Sequence, residues 1–474
     1  VQKDDSNQSS ERHYIVTILG KTVKWVYDLT TIENTSAVID GPAAHFMDEI
    51  PIVEYLNNKL GIGDYELQIP LIDAYNALMS DRITDKEQFI DAILAIYGTL
   101  LSDEDDEEEG DGAGAEKAMK SLNKGINITN WLEENGTVFK GEFKFDESDV
   151  KLMADNGIKS LRFPIDLDQY VTNRDEFVAG TATELAFDDA NLFGVLDSFV
   201  EWTGKYKMGF VIDYHEYDNG YNTKTATNEN YKAMMAGLWK HVAAHFATNE
   251  RDDIFYELLN EPDMSDGKVT TVNWRKAAQQ DIDSIRTVDK VHTIIFGDAA
   301  WYSISNLAKG APLNDDNVIY AVHTYDPFVF THQGADWTDA KTIKNLMFPY
   351  DKEKWSEYSA DFGVNKNTIN WVATGVKEYY KTASKEGIMK VVLPAKEWAV
   401  KNNVPVIINE FGAYRNKSDA QSVLNYLTAL REISDTLQIP LQHWGYTGGF
   451  SLFDSDDGVK GTKLYEGIKE AYGL

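Results

Sequence analysis

Cysteine is absent from all 474 residues. No disulfide framework, thiolate metal site or thiol nucleophile is therefore available. Secreted bacterial proteins also do without cysteine, so the absence does not fix a compartment. Positive charge is scarce. Against 77 Asp and Glu stand 45 Lys and Arg, a net charge of −32. Phosphate backbones and anionic membrane surfaces would be repelled, which sets aside a general nucleic-acid binder. No apolar run reaches the roughly 18 residues of a membrane-spanning helix, so no membrane insertion is expected. Methionine is missing from the first position. The opening "VQKDDSNQSSERH" is polar and reads as a trimmed end from which a signal peptide has been removed. The expectation is a secreted or cell-surface protein.

What is present is the composition of a water-soluble globular protein, 43% hydrophobic, 12% aromatic and 26% charged. The aromatic share suits either a large core or a stacking surface for a flat ligand. The length exceeds one ordinary domain. The sharpest boundary is "SDEDDEEEGDGAGAE", where seven consecutive acids, Asp103 to Glu109, run into Gly and Ala. Like charges repel and glycine adds freedom, so residues 102–116 read as a linker or exposed loop. The spaced ligands of a calcium loop are missing from it.

Before that boundary, residues 1–101 read as a small α+β accessory region. "HYIVTILGKTVKWVYDLTT" predicts two strands around a Gly20-Lys21 turn, and Asp85 to Leu101 has helical apolar spacing. Trp25 is the region's one tryptophan and no row of aromatics accompanies it. A structural, attachment or protein-contact role is therefore expected rather than sugar binding.

After it, residues 117–474 change pattern. Short apolar runs recur, each followed by a helix-like stretch. They are "LNKGINIT", "SLRFPID", "MGFVIDYH", "IFYELLNE", "HTIIFGD", "VIYAVHTYD", "VPVIINEFG" and "LQHWGYTGG". Eight strands alternating with helices predict an α/β fold, a closed (β/α)8 TIM barrel. A doubly wound open sheet competes, but the Gly-rich phosphate turn it usually brings follows none of these strands.

Polar side chains gather where the runs end. Arg162 is read at the end of strand two, His215 of three, Asn260 and Glu261 of four, His323 and Tyr325 of six and Glu410 of seven, with Trp444 on strand eight. In a (β/α)8 barrel those ends converge on one face. Two glutamates across that face suit glycosidic bond cleavage, which needs a proton donor and a second carboxylate on opposite sides of the sugar. Arg162 can hold one carboxylate ionised, while the other needs burial or a neighbouring negative charge to stay protonated. Asn260 can bond a sugar hydroxyl, and Trp444 offers an apolar face to a pyranose. Glu257 should lie on the same face as Glu261 but deeper, with Arg162 or a histidine as its structural partner. Pro262 should favour an extended Glu261.

Taken in order, "LRFP", "DYH", "LLNEP", "VHTY", "INEFG" and "HWGY" resemble glycoside hydrolase family 5, of the clan whose glutamates sit on strands four and seven. "GINITNWLE" also looks like that family's first strand, and the resemblance runs from about Lys117 to Leu474. It implies Glu261 as acid/base and Glu410 as nucleophile. It implies Arg162 and Tyr325 as contacts of the nucleophile, Asn260 as the partner of the sugar 2-hydroxyl, His215 and His323 as the site histidines and Trp444 as the sugar platform. "PFVFTHQGADW" is similar to a stretch in β-glucan-cleaving members, with Trp337 stacking a further sugar. No catalytic metal and no cofactor are implied, and "DSDDG", Asp454 to Gly458, reads as a solvated loop. The expected activity is endo-β-1,4-glucanase, a retaining cellulase acting on cellulose or mixed-linkage glucan. A β-mannanase, a xyloglucanase, an exo-acting glucanase and a non-catalytic sugar-binding barrel remain as alternatives.

Overall fold

In the computed structural model the chain divides into two units, Val1–Asp103 and Glu104–Leu474. Residues 15–19, 23–28, 38–44, 118, 120–134, 136–216, 224–263, 267–355, 361–454 and 460–474 are described. The expected helix at Asp85 to Leu101, the acidic stretch at 102–116 and most of "DSDDG" lie outside them.

The described residues of the first unit form three strands, β1 (Ile15–Leu19), β2 (Val23–Asp28) and β3 (Val38–Ala44), in one antiparallel sheet of that order. β1 and β2 pair from Ile15 with Asp28 to Leu19 with Lys24, the hairpin its alternating pattern predicts. The sequence reading did not find β3. Gly41 and Pro42 interrupt it, and they fall where its register against β2 shifts. Proline in a strand is tolerated at such irregularities.

The second unit is built on eight parallel strands. They are β4 (Gly125–Asn127), β5 (Ser160–Ile165), β6 (Gly209–Tyr214), β7 (Ile254–Glu257), β8 (Thr293–Gly297), β9 (Val318–His323), β10 (Val406–Glu410) and β11 (Gln442–His443). Each falls in one of the eight predicted runs. Neighbours in sequence pair in the sheet, and β11 returns to β4. Ile408 N donates to Pro440 O at 3.0 Å and bridges to Leu441, which closes the ring between β10 and β11. This is a (β/α)8 barrel. Every residue of these strands is buried, as expected where one face meets the interior and the other a layer of helices.

Those helices begin cleanly because side chains satisfy their first N–H groups. Asp146 and Thr270 form capping boxes for Glu147–Asp155 and Thr271–Arg286. Asn228, Ser384 and Asp419 cap Glu229–Phe246, Lys385–Asn402 and Ala420–Leu437. Inside the barrel, Val211, Phe255, Ile295, Ile319 and Ile407 pack against Ala118 and Leu122 from the short segment before β4. That segment lies close enough that a Cβ on Gly209 would collide with the Ser121 carbonyl oxygen. The floor is thereby filled with apolar side chains, and the polar residues are left to the other end.

Candidate active site

Arg162 organises that polar end. It is the third residue of β5, fully buried, rather than the last as the sequence reading has it. The strand continues through Phe163, Pro164 and Ile165 because all three still pair with β6. The arginine side chain is long enough to span the remaining depth. A guanidinium only donates. Nε and Nη2 each donate to one oxygen of Glu257 at 2.8 Å. Nη1 donates to Asn127 Oδ1 at 2.8 Å and to Glu410 Oε1 at 2.7 Å. Nη2 also stands 2.8 Å from Asn260 Oδ1 and 2.9 Å from Asp213 Oδ2. Glu257 thus has the partner expected of it, and Asn409 Nδ2 adds a further bond at 2.8 Å.

Glu410 ends β10 with its side chain only 6% exposed. Its second oxygen accepts from Tyr325 Oη at 2.9 Å. Glu261 lies four residues past β7 with φ +44°, in the left-handed region rather than extended. The pre-proline preference is outweighed because Pro262 O is held by Ala300 N at 2.8 Å while the carboxyl is drawn to His323 Nδ1 at 2.7 Å. Strand alternation therefore stops at Glu257, and a turn rather than a pleat brings Glu261 to the mouth. His323 Nδ1 is also 3.5 Å from Glu410 Oε2, so the ring stands between the two acids. Glu261, His323 and Glu410 each offer one atom within 4.8 Å of the others. Among the described residues this is the one place where potential cation ligands converge in threes.

Burial pushes the carboxyls of both Glu261 and Glu410 above the usual range. His215 and Arg162 oppose the push at Glu261, and His323 and Arg162 oppose it at Glu410. Glu261 keeps 28% of its side chain exposed, so solvent still reaches it, whereas Glu410 is enclosed. Burial holds His323 down to about 4, so the ring is neutral at pH 7. Its Nε2 is buried without a partner, which places the proton on Nδ1, facing Glu261.

Asn260 and His215 stand beside this pair. His215 Nε2 is 3.2 Å from Asn260 Nδ2, and His215 Nδ1 is 2.8 Å from Asp213 Oδ2. The His215 ring stacks near Trp444, with centroids 5.5 Å apart at 21°. Trp444 follows β11 by one residue instead of lying on it. Trp337 is 60% exposed and meets Tyr414 edge-on at 4.9 Å. A cleft of roughly 460 Å³ runs past His215, Asn260, Glu261, Tyr325, Glu410, Trp337 and Trp444. The sequence reading missed several participants. Asp213, two residues before His215, shares its strand face, a signal that was available. Asn127 and Asn409 gave none, because an asparagine inside an apolar run looks the same wherever its amide points. The cleft-wall residues Glu133, Tyr414 and Phe450 lie on loops with no periodicity. Burial lifts the Glu133 carboxyl to about 7.

The model of the family described as Cellulase (glycosyl hydrolase family 5) matches residues 122–444. Endoglucanase 3 of Fibrobacter succinogenes is 64% identical over 359 residues, 76% of this chain but only 54% of that protein. Endoglucanase C of Acetivibrio thermocellus is 28% identical over 347 residues, 71% of this chain and 95% of that one. The solved structure of endoglucanase Cel5A from Thermotoga maritima aligns with TM-score 0.57 and 25% identity, covering 76% of this chain and 99% of that one. A phage portal family (SPP1 Gp6-like) also matches, at residues 2–231. That match covers less than half of the chain, and β4, β5 and β6 within it are strands of the barrel. The cellulase match spans the ring from the segment before β4 to Trp444, and the chain belongs to glycosyl hydrolase family 5.

Proposed function

We propose that this chain is a retaining endo-β-1,4-glucanase that cleaves internal linkages of cellulose, its soluble derivatives or mixed-linkage glucan by double displacement. The observation that carries the reading is the spacing of the two acids. An oxygen of Glu261 and an oxygen of Glu410 lie within 4.8 Å. Carboxyls about 5–5.5 Å apart suit a retaining mechanism, because wider separations leave room for a water and invert.

Glu410 attacks the anomeric carbon. Its C–O bond forms as the glycosidic C–O bond breaks, and Glu261 gives its proton to the leaving oxygen. Water then attacks the glycosyl-enzyme, and Glu261 takes the water's proton back. Arg162 and Tyr325 donate to Glu410 at 2.7 and 2.9 Å and favour its ionised form. Glu261 accepts from neutral His323, a weaker brake on its proton affinity. Asn260 meets the sugar 2-hydroxyl, Trp444 lies under the cleaved sugar and Trp337 stacks another. The substrate is a polymer too large to enter a cell, so the protein acts in a secreted or cell-surface setting. The first unit serves attachment or protein contact.

Reducing-sugar release from carboxymethylcellulose, mixed-linkage β-glucan, β-mannan and xyloglucan tests the reading, with Glu410→Gln as control. Glucan release that vanishes in the variant is expected. Glu410→Ala should lose turnover on every substrate, while Glu261→Ala should keep more activity on an aryl glycoside with a good leaving group. Equal losses on both substrate kinds would undo the assignment of roles. A second reading, β-mannan, is favoured by one observation. Cel5A of T. maritima, 25% identical with TM-score 0.58, has been solved with mannotriose. Release from mannan alone would select it.

A further inference from the structure

Asp213 is assigned no part in the chemistry above, yet it is wholly buried beside it. Its Oδ2 faces two donors, Arg162 Nη2 at 2.9 Å and His215 Nδ1 at 2.8 Å. The surroundings fix every proton in this chain of contacts. Arg162 can only donate, so the atom of Asn260 that it meets at 2.8 Å is the amide oxygen. The Asn260 nitrogen must then face His215 Nε2 at 3.2 Å. An amide nitrogen also only donates, so Nε2 must be the bare acceptor, and the ring proton must sit on Nδ1. The Asn260 N–H asks for that tautomer from one side of the ring, and an acceptor opposite Nδ1 stabilises it from the other; Asp213 Oδ2 is that acceptor. Burial and the Arg162 charge hold His215 down to about 4, so the ring carries a single proton at pH 7 and its tautomer is a real choice.

We infer that Asp213 is a positioning residue: it holds His215 in the Nδ1–H tautomer, and through His215 it adds a second constraint, beside the Arg162 contact, on which edge of the Asn260 amide is turned to the sugar. The inference rests on the reading of the cleft as a glycosidase site. Its competitor is that Asp213 only balances the charge of Arg162, already shared with Glu257 and Glu410.

Two variants separate these roles. Asp213→Asn removes the charge and keeps an acceptor. Its carbonyl oxygen takes the Oδ2 position, where His215 Nδ1 donates and the Arg162 guanidinium lies 2.9 Å away, and its nitrogen takes the place of Oδ1, which is buried without a partner. Asp213→Ala removes both charge and acceptor. Positioning predicts that Asp213→Ala lowers kcat on mixed-linkage glucan by up to about 100-fold, the scale of a misplaced contact. Asp213→Asn should stay within about threefold of wild type, less than a single lost hydrogen bond to a neutral group. In ¹⁵N-histidine-labelled protein, the His215 ring should show Nδ1–H in wild type and in Asp213→Asn, and a mixture in Asp213→Ala. Equal losses in both variants with an unchanged ring would leave charge balance alone and overturn the inference. A wild-type ring protonated on Nε2 would overturn it without any variant, even if Asp213→Ala fails to fold. Wild-type protein that cleaves none of the panel would instead overturn the functional reading, and the ring spectrum would still decide the tautomer.

Discussion

Tyr325 and Arg162 divide the two oxygens of Glu410 between them, and each favours the ionised carboxylate. Removing the phenol alone should therefore make Glu410 harder to ionise. A hydrogen bond to a charged group contributes about 1.5–3 kcal/mol, and a pH unit corresponds to about 1.4 kcal/mol. Tyr325→Phe should move the acid limb of the kcat/KM profile upward by about one to two pH units, with the basic limb in place. An unmoved acid limb would mean that Glu410 does not govern it. Glu257 and Glu261, four residues apart, should behave oppositely. Glu257 makes two bonds to Arg162 in a site without solvent. Glu257→Gln turns a donor toward the guanidinium and should cost about 3–5 kcal/mol in urea unfolding, the range for a broken buried pair. Glu261 holds a left-handed φ and a carboxyl whose proton affinity is raised in the fold. At neutral pH that shift works against the folded state, so Glu261→Gln should keep or raise stability while turnover falls. Equal destabilisation by the two changes would refute the division into a structural and a chemical glutamate.

At the scale of strands and helices, Asp281 is the misfit. It lies in the helix Thr271–Arg286, 1% exposed, with Oδ2 unpartnered. Burial raises its proton affinity well above the usual range. The folded chain then binds a proton that the unfolded chain has released, so this residue lowers stability as pH rises above about 4. Asp281→Asn should gain nothing at pH 4 and progressively more toward pH 7, at most about 1.4 kcal/mol per pH unit. Unfolding curves at the two pH values check this, and a gain equal at both would remove burial as the cause. Elements of this kind also show how far the sequence could be read. The barrel strands were legible because each is a short apolar run buried on both faces, set between amphipathic helices with capping residues. Depth along a strand was not, since β5 gives no mark of where its pairing stops and so Arg162 was read three residues too near the mouth. Glu261 was misread for a related reason. A local preference before proline is small beside a carbonyl and a carboxyl each held by residues far away in the chain.

For the whole molecule, the decisive segment is the short one at the barrel floor. Ala118 and Leu122 lie just beyond the acidic stretch, yet they pack among the inward residues of five strands. A chain starting at Lys117 should fold and hydrolyse soluble glucan as the full chain does. One starting at Lys124 loses the Leu122 side chain from the core, a deletion worth about 2–5 kcal/mol for leucine, and opens the floor to water. Equal thermal stability of the two truncations would show that the segment fills no core. At the opposite end of the barrel, Arg162 binds groups from β4, β6, β7 and β10 as well as the turn carrying Asn260. That arrangement limits how the protein can lose its activity. In a saturation library sorted first for well-folded protein and then for inactive clones, position 261 should be richly represented. Position 162 should be almost silent, because no other side chain offers five donors in one plane, and clones lacking them are discarded at the first gate.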